Sequence, residues 1–462
     1  MGNKAVRVRR PPRLLTTKTT KSTHRQMFQF LKHIFQTPSL AGSPKNLRFL
    51  GCTRREGRGG SFVLLLLLLL SCRGPEIILP SEEEQRGDTM HTEVQGFYLL
   101  NEGNMGSNKA TLDYYDYTTA TYKRNIFAEA NPDITQGLGD VGNDLCIYGN
   151  RLYAVINCSN LIEVMDAPTA KHIAQINIPN CRYLAFADGY GYCTSYAGPV
   201  QIGNTQIGYV AKFDTATLRI VDTCHVGFQP DGLEVVGNRL YVANSGGYLS
   251  PNYERTLSVI DLNTFRVLDT IPVAPNLHRV QADHLGQLWV NSRGDYYDTP
   301  SRLYCLTLKE VRSPGRTQSA EDDSNGSLST IQNATMDIPL DSIDIPVSNF
   351  TILGDSLYFC GTQFSYITYE DEITYGVIDI RTHQLLTTHL ITDSITLVKP
   401  YGIAVHPTTR EIYITDAGNY VTPGMLYCFS PQGILQWSVR TGDIPSAICF
   451  LWSQEQGTKS QD

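Results

Sequence analysis

The 462-residue sequence predicts an all-β fold, a seven-bladed β-propeller of four-stranded antiparallel blades. Three observations carry that expectation. A unit of four short apolar-alternating runs recurs along the chain. The second run of the unit carries an aromatic residue seven times. The repeating region begins on one strand type and ends on another, so its ends can complete each other.

The unit is clearest at 227–273, with runs A (Leu233–Val236), B (Arg239–Ala243), C (Leu257–Asp261) and D (Arg266–Val273). Four-strand units spaced by roughly 40–50 residues are the mark of propeller blades. The B aromatic recurs at Tyr98, Tyr153, Tyr192, Tyr241, Trp289, Tyr358 and Tyr413. A strands are expected at Asn143–Tyr148, Tyr183–Phe186, Leu233–Val236, Val280–Ala282, Phe350–Leu353, Ile403–Val405 and Ile448–Leu451. The C–D corner reads Asp-x-x-Thr from Asp116, Asp166, Asp214, Asp261 and Asp379. An Asp at the first turn position bonds the backbone two residues on, so these are turns and not catalytic groups. The corners at 306–309 and 430–433 depart from the pattern.

The body opens on a B strand at Gly96–Leu100 and closes on an A strand at Ile448–Leu451. Pairing of those two strands closes the ring and limits exposed sheet edges. One propeller domain is therefore expected over 96–451, with a tail at 452–462. Residues 311–341, rich in Ser, Asp and Asn, read as a mobile insertion between C and D of the fifth blade.

Ahead of the ring, Phe62–Leu70 is too short for a membrane-spanning helix but suits a signal-peptide core, with Arg54, Arg55 and Arg58 before it. Leu69-Leu70-Ser71-Cys72 resembles a lipoprotein box, which makes Cys72 the expected lipidation site and 1–71 an upstream segment plus signal peptide. A signal peptide is normally shorter, so the natural start is expected nearer Arg54. Residues 72–95, rich in Pro, Glu, Ser and Gln, read as a flexible tether.

Residues 1–60 hold 14 Lys and Arg and one acid, Glu56, whereas the rest holds 24 basic and 44 acidic residues. An acidic body argues against a nucleic-acid partner. The eleven Cys contain no CxxC pair or zinc spacing, and most body cysteines read as small buried hydrophobes.

In such blades the D–A and B–C connections share one face. Here that face has the long, Tyr- and Asn-rich loops at 101–111, 194–209, 244–256, 291–302, 361–375 and 415–425. Its D–A connections add Asp140, Asn143, Arg182, Tyr183, His278, Arg279 and Tyr401. Rigid aromatics with adaptable polar groups suit a neutral, hydrogen-bond-rich ligand such as a sugar or an amide-rich cofactor. His278 is the one histidine read onto that face; no metal-ligand cluster, nucleophile elbow or phosphate loop assembles, so no catalytic residue, metal or cofactor is assigned.

The strings NEGNMGSNKATLDYYD (101–116), GDVGND (139–144), NSGG (244–247), SRGDYYD (292–298) and YGIAVHPTTREIYITDAGNY (401–420) resemble the YncE-like seven-bladed propellers. More closely, they are similar to surface lipoprotein propellers of Gram-negative gut anaerobes. The insertion and the long upstream segment depart from that pattern. The resemblance implies a lipid-anchored outer-membrane surface protein that binds cobalamin and caps a TonB-dependent transporter. The expectation is a non-enzymatic capture protein for a corrinoid or glycan. Its expected contacts are Asn104, Arg182, Tyr196, Tyr253, Arg255, Arg293, Tyr296, Tyr297, Tyr401 and Tyr420. The alternatives are a propeller enzyme (a lactonase, a lyase or a quinone-dependent dehydrogenase) and a protein-interaction scaffold.

Overall fold

A computed structural model describes residues 82–90, 92–296, 298–308, 340–364, 370–392 and 395–453, all within the compact unit Ile77–Asp462. Cys72, the upstream segment, most of the fifth-blade insertion and Tyr297 lie outside the described residues.

Seven antiparallel sheets form the ring, each running A-B-C-D from the inside out. Blades 2, 3, 4 and 7 are continuous in sequence, and their A strands are Gly142–Tyr148, Cys181–Ala187, Pro230–Val236 and Pro400–Val405. Blade 5 begins at Leu277–Ala282 and blade 6 at Asn349–Leu353. In blade 5 the C strand is Arg302–Thr307 and the D strand Leu340–Ile343, so the insertion sits between them and strand already begins at Leu340.

Blade 1 is closed as its sequence requires. Its B strand Val94–Asn101 pairs with the C-terminal strand Pro445–Trp452, with Phe97 opposite Phe450 and Leu99 opposite Ile448. This sheet also has a fifth, outermost strand. Glu83–Gln85 pairs with Thr121–Lys123, within the stretch read as a free tether. The composition concealed it because the strand is short, acidic and held by its basic neighbours: Glu83 lies 3.3 Å from Lys123, and Glu82 pairs with Arg124. A charged outer edge also discourages further strand addition.

Apolar side chains are used between blades. Seven buried clusters occur among the described residues, one at each blade–blade contact. The cluster between blades 1 and 7 contains Phe97, Tyr115, Tyr117, Tyr413 and Trp437, with Phe97 and Tyr413 ring centroids 4.9 Å apart. Burying one such side chain contributes roughly 1.5–3 kcal/mol. Six of the seven B-strand aromatics are buried in these contacts, and Tyr358 is half-buried against its own. All nine described cysteines are free thiols, six of them buried.

The Asp-x-x-Thr corners act as turns. In blade 4, Asp261 Oδ1 accepts from Thr264 N at 2.8 Å and from its hydroxyl at 3.0 Å. Asp214 does the same for Thr217.

Candidate functional site

The A strands do not enter their sheets smoothly. In six of seven blades the register with the B strand slips near the first pair: at Gly142/Asp144, Cys181/Leu184, Pro230/Leu233, Leu277/Val280, Pro400/Ile403 and Pro445/Ala447. Such a bulge re-aims the side chains it carries. The residues inside the bulges are Asn143, Arg182–Tyr183, Asp231–Gly232, His278–Arg279, Tyr401–Gly402 and Ser446. Most of them line one cavity of about 650 Å³, a size within the roughly 300–1,000 Å³ of ordinary ligand pockets.

A recurring polar device holds three of the bulges. Thr194 Oγ1 accepts from Tyr183 N at 3.1 Å and donates to the Asp231 carbonyl of the next blade at 2.8 Å. Asn291 accepts from Arg279 N at 2.6 Å and donates to the Val347 carbonyl at 2.8 Å. Thr415 accepts from Gly402 N and donates to the Pro445 carbonyl, both at 2.7 Å. Each buried side chain satisfies a freed backbone N–H and ties its blade to its neighbour.

The cavity floor is cationic. Arg182 Nε and Arg293 Nη1 contact opposite oxygens of Asp231, at 3.0 and 2.9 Å, and Asp231 is fully buried. The Tyr196 hydroxyl also donates to Asp231, at 2.5 Å. Burial alone would raise the Asp231 pKa, but the two guanidiniums outweigh it and hold the carboxyl below its ordinary value. Arg279 lies over the Tyr183 ring, 4.5 Å from its centroid, and its Nη1 is 3.9 Å from Asp144. Tyr183 OH meets His278 Nε2 at 2.7 Å. Burial and then the three arginines push His278 far below the ordinary histidine range, so it is neutral at physiological pH.

Across the cavity, Tyr401 OH donates to Glu102 Oε2 at 3.2 Å. Burial raises Glu102 to about 7, against the pull of Tyr401 and the arginines. Lys399 pairs with Asp371 on the same wall. The rings of Tyr401 and Tyr420 meet edge to face at 5.9 Å.

Of the expected contacts, Arg182, Arg293, Tyr296, Tyr401 and Tyr420 line the cavity. Tyr196 is 3% exposed and braces Asp231 from beneath. Asn104, Tyr253 and Arg255 fall outside the lining; Tyr253 packs against Tyr296, 6.1 Å between centroids, and Arg255 is exposed. Gln363 and Asp371 of the 361–375 loop also line the cavity, as do Lys399 and Asn349; no motif in the sequence marks those two or Asp231, which orders two of the arginines. The usable signal was positional: the residues just after the residue that opens each A strand. The sequence suggested a neutral ligand from its Tyr- and Asn-rich loops, whereas the floor carries three arginines. No group of three or more potential metal ligands occurs among the described residues.

Comparison with solved structures gives matches of low identity. The hydrazine synthase of Kuenenia stuttgartiensis is 13% identical, with a TM-score of 0.49, covering 67% of this chain and 89% of that one. A quinonprotein alcohol dehydrogenase-like protein from Bacteroides thetaiotaomicron is 12% identical, with a TM-score of 0.48, covering 78% and 79%. Apo AztD from Citrobacter koseri is 11% identical, with a TM-score of 0.45, covering 78% and 98%. Likeness at this level carries no argument about activity. No curated protein matches the chain. A family model described as "Domain of unknown function (DUF5074)" matches residues 95–427, and the chain belongs to that family.

Proposed function

We propose that this propeller is a non-enzymatic capture protein that binds a small nutrient molecule in the cavity on its D–A/B–C face. One observation carries the reading. The bulged A-strand residues of successive blades converge on a single pocket that combines guanidiniums, tyrosine rings and amides. Because the ring fixes those groups before a ligand arrives, little ordering opposes binding.

A corrinoid such as cobalamin suits this lining. It offers peripheral amides to Asn143, Asn349 and Gln363 and an extended ring system to Tyr401 and Tyr420. On this reading the chain is tethered to the outer-membrane surface through lipid on Cys72 and passes its ligand to a TonB-dependent transporter.

A propeller enzyme is the second reading. What favours it is Glu102, whose pKa of about 7 lies where general acid–base groups operate.

Calorimetric titration of the purified full chain with cobalamin, then with a glycan panel, tests the proposal. Saturable one-to-one binding of an unaltered ligand is expected. Turnover of the ligand would favour the enzyme. No heat with any ligand, together with co-purification of a membrane partner, would favour a scaffold.

A further inference from the structure

The three arginines have more donors than their protein partners use. A guanidinium carries five N–H groups in one plane. Arg182 gives only Nε to a hydrogen bond and Arg293 only Nη1, both to Asp231. Arg279 makes no side-chain hydrogen bond among the described residues, and its buried Nε has no partner. Its nearest acidic partner, Asp144, stands at 3.9 Å, and Glu102 also acts on it through space.

The arrangement is also continuous and rigid. Arg182 and Arg293 are joined through Asp231, which lies fully buried beneath them. Arg182 and Arg279 both approach the Tyr183 ring, at 5.7 and 4.5 Å from its centroid. Stacking on a ring face fixes a guanidinium while leaving its in-plane N–H groups free to grip a planar or tetrahedral oxyanion. The side chains keep 16%, 23% and 28% exposure at Arg182, Arg279 and Arg293. Arg182 and Arg293 line the cavity and Asp231 does not, so the pair presents guanidinium and not carboxylate to it.

We infer that Arg182, Arg279 and Arg293 form an oxyanion subsite that holds a phosphate or carboxylate group of the captured molecule. The inference rests on the capture reading and adds to it the charge class of the ligand and the group that anchors it. Arg279 is the principal contact, since it has the fewest protein partners. Arg182 and Arg293 supply a preorganised positive wall. Of the other charged groups of the cavity, Asp371 is engaged by Lys399, whereas Glu102 accepts from Tyr401 and, when ionised, offsets part of the arginine charge.

Inorganic phosphate, acetate and glucose are the probes, titrated against the purified full chain with line broadening or calorimetry as the readout. Phosphate or acetate is expected to bind and glucose not to. Binding of both anions marks a general oxyanion site; binding of one identifies which source, phosphate ester or carboxylate, the ligand presents. Arg279→Gln is expected to weaken the anion about tenfold or more, and Arg279→Lys to recover part of that loss. Phosphate is also expected to compete with cobalamin in the unmodified protein, a result that depends on no variant folding. Absence of anion binding, or an Arg279→Gln protein that folds and binds the anion as tightly as the parent, overturns the subsite. Tight cobalamin binding that phosphate does not displace overturns it while leaving the capture reading intact. Anion binding lost in Arg279→Gln with no nutrient bound does the reverse.

Discussion

Arg293 reaches from the B–C loop of blade 5 to the Asp231 carboxylate on the A strand of blade 4, Nη1 to Oδ2 at 2.9 Å. The contact joins two blades at the cavity floor and leaves no part of Asp231 exposed to water. Removing one partner of a buried pair leaves a charge without full compensation, at a cost of roughly 3–5 kcal/mol. Arg182 stays in place and softens the loss. Arg293→Ala is therefore expected to lower stability by about 3 kcal/mol, seen as a reduced urea midpoint. An unchanged midpoint would mean that the pair does not hold the blades.

The blade-to-blade polar links should be individually measurable. Thr415→Val keeps the side-chain shape but loses both the bond from Gly402 N and the bond to the Pro445 carbonyl. Two buried backbone groups lose their partner, so a cost of about 2–3 kcal/mol is expected. Chemical denaturation of the variant beside Thr415→Ser, which keeps the hydroxyl, checks it; equal losses in both would assign the effect to packing.

Gly232 offers a steric test of the same floor. A Cβ there would meet the His278 carbonyl oxygen at 2.4 Å and Val280 N at 3.0 Å, both backbone atoms of the next blade. Gly232→Ala must push blades 4 and 5 apart and displace His278 and Arg279. Overpacking of this kind costs about 1–3 kcal/mol. The expected result is a lower melting temperature together with weaker ligand binding, and a variant that melts and binds like the parent would contradict this packing.

Glu102 gives the site a pH dependence of definite sign. Burial raises its pKa to about 7 from an ordinary 4.5. Ionised, it offsets part of the arginine charge; protonated, it does not. Binding of an anionic ligand should strengthen as pH falls from about 8 to about 6, with proton uptake. His278 stays neutral throughout that window, because its pKa lies well below the ordinary value. For folding, the raised carboxyl pKa costs stability progressively as pH climbs from 4.5 through about 7. Glu102→Gln should flatten both profiles, and binding titrations at the two pH values decide the matter.

The ring was legible because its determinants are local and repeated: seven B-strand aromatics, the Asp-x-x-Thr corners, and the strand types at the two ends. The site was legible only in part, for a geometric reason. Expected A strands began at Tyr183, Leu233, Val280 and Ile403, whereas the strands begin at Cys181, Pro230, Leu277 and Pro400. The missing residues are the bulges, where alternation breaks and an apolar pattern no longer reports the strand. Arg182, Asp231, His278 and Arg279 fall there or beside it. Long-range pairing hid the rest: nothing in the sequence tells that Arg182 and Arg293 meet on Asp231. The short acidic strand Glu83–Gln85 escaped because its partners are charges and not apolar side chains.

Hydrogen–deuterium exchange of the full chain with and without cobalamin tests the central claim most directly, since it reports where a ligand sits. Slowed exchange is expected at 181–184, 277–280, 347–349 and 399–402, with the Asp-x-x-Thr corners at the opposite face unaffected. Protection confined to those corners, or binding recorded by calorimetry with no protection around the bulges, would contradict capture in the cavity.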